Sequence, residues 1–111
     1  MRDDRAFLLH IRDALHEVRE FVGGENYESF LENRMVHNAV MRSFEVVGEA
    51  ARRVSPEVRE AHPDVPWRLM GDFRNKLIHD YFALDLEVIW KTATEDAPML
   101  LAQIEGLVED V

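Results

Sequence analysis

Residues 34–54 read RMVHNAVMRSFEVVGEAARRV. Val36, Val40, Phe44, Val47, Ala51 and Val54 recur at steps of three and four, which puts them on one stripe of an α-helix. A helix with a single apolar stripe draws most of its stability from covering that stripe with other elements. Gly48 sits inside the helix at a cost of about 1 kcal/mol relative to alanine. A glycine there permits a second helix to approach closely. Beside it stands Glu49, the one acid in Val46-Val47-Gly48-Glu49-Ala50-Ala51. It reads either as a solvated helix residue or as a carboxylate that pairs with an arginine of a functional site.

The flanking sequence supplies the partners. From Asp3 to Val22, Phe7, Leu8, Ile11, Leu15, Val18, Phe21 and Val22 form another single stripe. Asp3 or Asp4 is placed to cap its start. Gly23-Gly24 predicts a left-handed helix end. A short helix is expected over Tyr27–Glu32. Ser55-Pro56 opens another, with serine as cap and proline at the first helical position. His62 to Pro66 form a stiff loop, and a helix begins near Pro66-Trp67. Gly71 is placed to break or bend it, leaving a motif-bearing helix from Asp72 to Phe82. A last helix runs from its cap Asp85 to Asp110, with a kink expected at Pro98. No strand-like alternation occurs. The sequence therefore specifies an all-α antiparallel bundle of four to five helices in one domain, residues 1–111.

Composition excludes several classes of function. The chain has 111 residues and no cysteine, so thiol chemistry and thiolate metal sites are absent. Its N-terminus lacks the apolar run of a secretory signal, and no segment approaches the ~20 apolar residues of a membrane span. A soluble, cytoplasmic protein is expected. A small helical domain with spare apolar surface also suits a homodimer. The five histidines form no i,i+4 pair, and no metal or other cofactor is expected. The net charge of −9 argues against a whole-surface grip on nucleic acid, though not against a local basic cleft. Arg52, Arg53, Arg68, Arg74 and Lys76 lie on segments that a bundle could gather.

Chemistry concentrates in Phe73-Arg74-Asn75-Lys76-Leu77-Ile78-His79-Asp80-Tyr81-Phe82. Histidine moves protons near neutral pH, and arginine can clamp a phosphate through two N–H groups. His79 with Arg74 is thus a reasonable kit for RNA cleavage without a metal, although such a pair on a helix is more often an ordinary surface pair. Asn75 and His79, four apart, share a helix face, so the amide could fix the imidazole tautomer. Arg74 lies about 140° round the helix from His79. The pair therefore needs local helix distortion, a second chain, or both. On its own, Tyr81 reads equally well as a residue that closes the helix against the core. Trp67 and Trp90 read as core aromatics.

The pattern Arg74-x4-His79-x-Tyr81 resembles the signature of the HepT-like toxin branch of the HEPN superfamily. Val46-Val47-Gly48-Glu49-Ala50, Pro66-Trp67, Arg74-Asn75 and Val88-Ile89-Trp90 are similar to that branch in the same helix order. The resemblance implies a small all-α homodimer and a metal-independent endoribonuclease, the toxin of a type VII toxin–antitoxin pair. By resemblance, Arg74 and His79 are catalytic; from their positions on the helices, Asn75 and Glu49 are the expected supporting residues. The implied partners are cellular RNA and a minimal nucleotidyltransferase antitoxin, which neutralises the toxin by transferring AMP from ATP to Tyr81. The competing reading is a catalytically silent helical module that binds the nucleotidyltransferase or a nucleotide.

Overall fold

A computed structural model describes residues 3–79 and 85–111. The elements are α1 (Asp4–Gly23), α2 (Tyr27–Glu32), α3 (Arg34–Arg53), α4 (Pro56–Ala61), α5 (Trp67–His79), α6 (Leu86–Lys91) and α7 (Ala97–Asp110), with a π-turn over Thr92–Asp96 between the last two. Among the described residues every regular element is helical. Helix α1 packs between α3 and α7, and α3 packs between α1 and α5. Four principal helices thus make the bundle, with α2 and α4 as short connecting turns. Neighbours run antiparallel. Arg5, at the start of α1, donates to the Val108 carbonyl near the end of α7, and His16 meets Glu105 at 3.2 Å further along.

The stripes read from the sequence form the core. Leu8, Ile11, Leu15, Val18 and Val22 of α1 meet Val40, Phe44, Val47 and Ala51 of α3, with Leu101, Ile104 and Leu107 behind. Val54 and Leu77 are also fully enclosed. Trp67 is buried and gives its indole N–H to the His62 carbonyl at 3.0 Å. Trp90 stacks obliquely on Phe30 with ring centroids 5.0 Å apart, covering α2 with α6.

Local chemistry accounts for the boundaries. Asn26 and Ser29 form a reciprocal capping box at α2, Asn33 accepts from the Val36 N–H at the start of α3, and Asp85 accepts from the N–H groups of Glu87 and Val88. Ser55 caps α4 with Pro56 in its first turn. Asp4 does not cap α1. Its buried carboxylate accepts the Ser55 N–H at 2.8 Å and the Ser55 hydroxyl at 2.7 Å, tying the start of α1 to the α3–α4 corner. Burial alone would raise the Asp4 pKa; the Ser55 hydrogen bonds act against it, and the group lies below the usual carboxylate range.

Three expectations change. Gly23 and Gly24 end α1 without a left-handed residue, Gly24 having φ −96°. Gly71 does not break the chain, since α5 runs unbroken from Trp67 to His79. Gly71 is buried there under the Arg52 side chain. Pro98, where a kink is expected, lies in the first turn of α7, and the chain enters that helix through one widened turn. The Ala97 N–H bonds to the Thr92 carbonyl, and the Thr92 and Thr94 hydroxyls donate to the carbonyls of Val88 and Trp90. Backbone groups disturbed by the wide turn thus keep partners.

Candidate active site

The site begins at the crossing of α3 and α5. A Cβ on Gly48 would stand 2.2 Å from Arg74 Cβ and 2.8 Å from the Met70 carbonyl oxygen. Only glycine lets the two backbones meet here, and the residue pressed against it is Arg74. The Phe44 and Phe73 rings pack edge to face at 5.3 Å near the same crossing. The Arg74 side chain is about three-quarters covered. Its guanidinium lies 3.5 Å from Glu49 Oε1 and donates to Asn75 Oδ1 at 3.1 Å.

Glu49 is shared between two arginines. Arg53 donates to its other oxygen at 2.9 Å, one helical turn away on α3. The Arg53 hydrogen bond and the charges of Arg53, Arg74 and Arg52 hold the Glu49 pKa below the usual carboxylate range, against some desolvation. The carboxylate is therefore a fixed negative charge at neutral pH. These groups face an open groove of 330 Å³ between α1, α3 and α5, whose walls also include Phe7, His10 and Arg42.

The structure thus brings Arg74, Asn75 and Glu49 together. It does not bring His79 to them. Helix α5 is regular through His79, so the imidazole leaves the helix well round from Arg74, exposed to solvent. Among the described residues Asn75 makes no hydrogen bond to the His79 ring; its amide oxygen takes the arginine instead. Tyr81 lies outside the described residues. Lys76 is exposed.

The arginines noted in the sequence divide between two grooves. Arg53 and Arg74 line the one just described. Arg52 and Arg68 line a second, of 870 Å³, along α4 and α5, with Asn75 at its edge. Arg59 in this second groove, and His10 and Arg42 in the first, are residues that sequence reading missed. Each sits alone among ordinary helix-surface residues, and only the packing of separate helices gathers them. Among the described residues no three His, Asp or Glu side chains are grouped as a metal would require, and no helix is long and apolar enough to cross a membrane.

The HepT-like ribonuclease family model matches residues 11–107. A candidate RNase of Methanocaldococcus jannaschii is 40% identical over 104 residues, covering 94% of this chain and 95% of that protein. A Thermococcus cleftensis protein named "Probable ribonuclease HepT" is 38% identical, covering 96% of each chain. A candidate RNase of Caldanaerobacter subterraneus is 34% identical, covering 98% of this chain and 97% of its own length. No solved structure matches. With the family model matched over residues 11–107 and relatives 34–40% identical across nearly the whole chain, the chain belongs to the HepT-like ribonuclease family.

Proposed function

We propose that the protein is a metal-independent endoribonuclease in which Arg74 and His79 are the catalytic residues. The observation that carries this reading is the anchoring of Arg74. Gly48 seats its backbone, Glu49 and Asn75 orient its guanidinium, and a groove opens in front of it. A preset cation costs no reorganisation when negative charge develops on a phosphate in the transition state. In the proposed step a ribose 2′-oxygen attacks the adjacent phosphorus and the 5′-oxygen leaves. His79 takes the 2′ proton or supplies one to the departing oxygen, and Arg74 neutralises the phosphoryl oxygens.

Because Arg74 and His79 diverge on one helix, a second chain is a natural source of the complementary group. In a homodimer, Arg74 of one protomer and His79 of the other would line a common cleft. Exposed Leu69 and Met99, beside an apolar groove of 400 Å³, support such an association. The toxin role, with a nucleotidyltransferase antitoxin transferring AMP to Tyr81, completes the proposal. There the tyrosine oxygen would attack the α-phosphorus of ATP and release pyrophosphate. The bulky anion left two residues from His79 would repel RNA.

The test is cleavage of cellular RNA in EDTA by purified protein free of any partner. Wild-type protein should cut, and His79→Ala should not; undiminished cleavage by the variant would overturn the assignment. One observation favours a second reading. Glu49 occupies part of the Arg74 guanidinium, as suits a silent module that binds the nucleotidyltransferase. Growth arrest on expression, abolished by Arg74→Ala, would exclude that reading.

A further inference from the structure

The 870 Å³ groove bounded by α3, α4 and α5 is larger than the one facing Arg74. Its floor is apolar, made by Ala51, Val65 and Trp67. Its rim carries Arg52 from α3, Arg59 from α4 and Arg68 from α5. Three arginines from three helices converge here in a chain whose net charge is −9.

Their own partners are few. Among the described residues neither Arg52 nor Arg59 has an ion-pair partner. The Arg59 Nε–H is closed off from water and has no acceptor among them. Such an orphaned donor is costly unless an acceptor arrives. Arg68 has only Asp72, 3.9 Å away, and both side chains are largely exposed, so this contact is weak. Glu60 and Asp72 are the acids of the lining, leaving the three arginines in excess. Gly71 lets the Arg52 stem lie on α5, since its Cβ position is 3.3 Å from Arg52 Cγ.

The groove is also linked to Arg74 through one side chain. Asn75 belongs to its lining and accepts a hydrogen bond from Arg74 Nη1. Asn75 thus connects this groove to the residue proposed to hold the scissile phosphate. We propose that this groove is a binding track for single-stranded RNA flanking the cleavage point, with Arg52, Arg59 and Arg68 engaging successive backbone phosphates. The inference rests on the proposed ribonuclease activity and adds to it where the substrate lies. An open cationic trough that follows a backbone is the usual form of such a site. Acidic surface elsewhere would repel RNA and confine it to the track.

The test uses full-length His79→Ala protein, which should bind RNA without cutting it, and a fluorescently labelled single-stranded RNA followed by anisotropy across a salt series. Replacing Arg52, Arg59 and Arg68 together by alanine should weaken binding ~10-fold or more and reduce the slope of log affinity against log salt by about 2, as expected for three lost phosphate contacts on a single strand. Arg68→Glu alone should also weaken binding, and at 95% exposure it cannot disturb the core. Arg19→Ala, an exposed arginine outside the groove, controls for net charge. Failure of the His79→Ala protein to bind RNA, or unchanged affinity and slope in the groove variants, would overturn the track. Groove-dependent binding with no cleavage by wild-type protein would instead overturn the catalytic assignment.

Discussion

Arg74 sits against Gly48 so closely that a Cβ on the glycine would overlap its own Cβ at 2.2 Å. The contact involves a backbone-proximal atom and the Met70 carbonyl, neither of which can swing aside. Gly48→Ala should therefore destabilise the protein by about 1–2 kcal/mol, the upper part of the overpacking range of about 1–3 kcal/mol less alanine's helix preference of about 1 kcal/mol. Urea denaturation checks this. A variant as stable as wild type would mean that α3 and α5 are free to separate.

Glu49 makes stability depend on pH in a defined sense. Its pKa in the folded chain lies below the unbound value of 4.5, so its ion pairs stabilise the fold above that pH. The contribution is lost as pH falls through the folded-state pKa. Glu49→Gln should be less stable than wild type at neutral pH, and the difference should vanish in acid. The group is exposed, so added salt should also shrink the difference. Thermal melts across pH and ionic strength decide the matter.

Ser55 joins two elements with one side chain. Its hydroxyl caps α4 by accepting from Val58 N–H and also donates to buried Asp4. Ser55→Ala should cost about 2 kcal/mol, the upper end for loss of a cap, because the Asp4 carboxylate loses a donor as well. A loss of only a few tenths of a kcal/mol in chemical denaturation would show that the α1–α4 tie contributes little.

Arg74→Ala should lower kcat for RNA cleavage by about 10²–10³, the effect of removing one preset donor to developing charge. A substrate carrying 2′-deoxyribose at the scissile nucleotide should resist wild-type protein, because the attacking oxygen is gone. Cleavage of that substrate would point to water as the nucleophile.

Tyr81→Phe should abolish AMP transfer by a cognate nucleotidyltransferase while sparing cleavage activity. Intact-mass measurement after incubation with ATP reads the first outcome. Persistent labelling would move the modification to another residue.

The stripes of α1 and α3, the caps at Ser55 and Asp85 and the close approach at Gly48 were all legible in the sequence, because each depends on local spacing. Less legible were features set by neighbours distant along the chain. Asp4 looks like a cap until Ser55 arrives beside it. Gly71 looks like a breaker until Arg52 covers it. Asn75 has His79 at the favourable four-residue spacing, yet its oxygen goes to Arg74, whose guanidinium is steered by Glu49 from another helix. The divergence of Arg74 and His79 followed from helical geometry alone. The arginine groove did not, since Arg52, Arg59 and Arg68 are unremarkable one at a time.

The wide turn at Thr92–Asp96 carries a consequence for the C-terminal part of the bundle. Ile89, Ala93, Ala97 and Leu101 are all buried, although each step of four overshoots a full turn of a regular α-helix by about 40°. Three such steps would rotate Leu101 about 120° away from Ile89. The π-turn absorbs that drift, so it acts as a phase adjuster between α6, fitted to the α2 aromatics, and α7, fitted to α1. The turn thus takes up one residue more than a regular helix would hold over the same rotation. Losing one residue would leave eleven steps of about 100° between Ile89 and Leu101, within about 20° of whole turns, so an ordinary helix could replace the wide turn with both halves still in register.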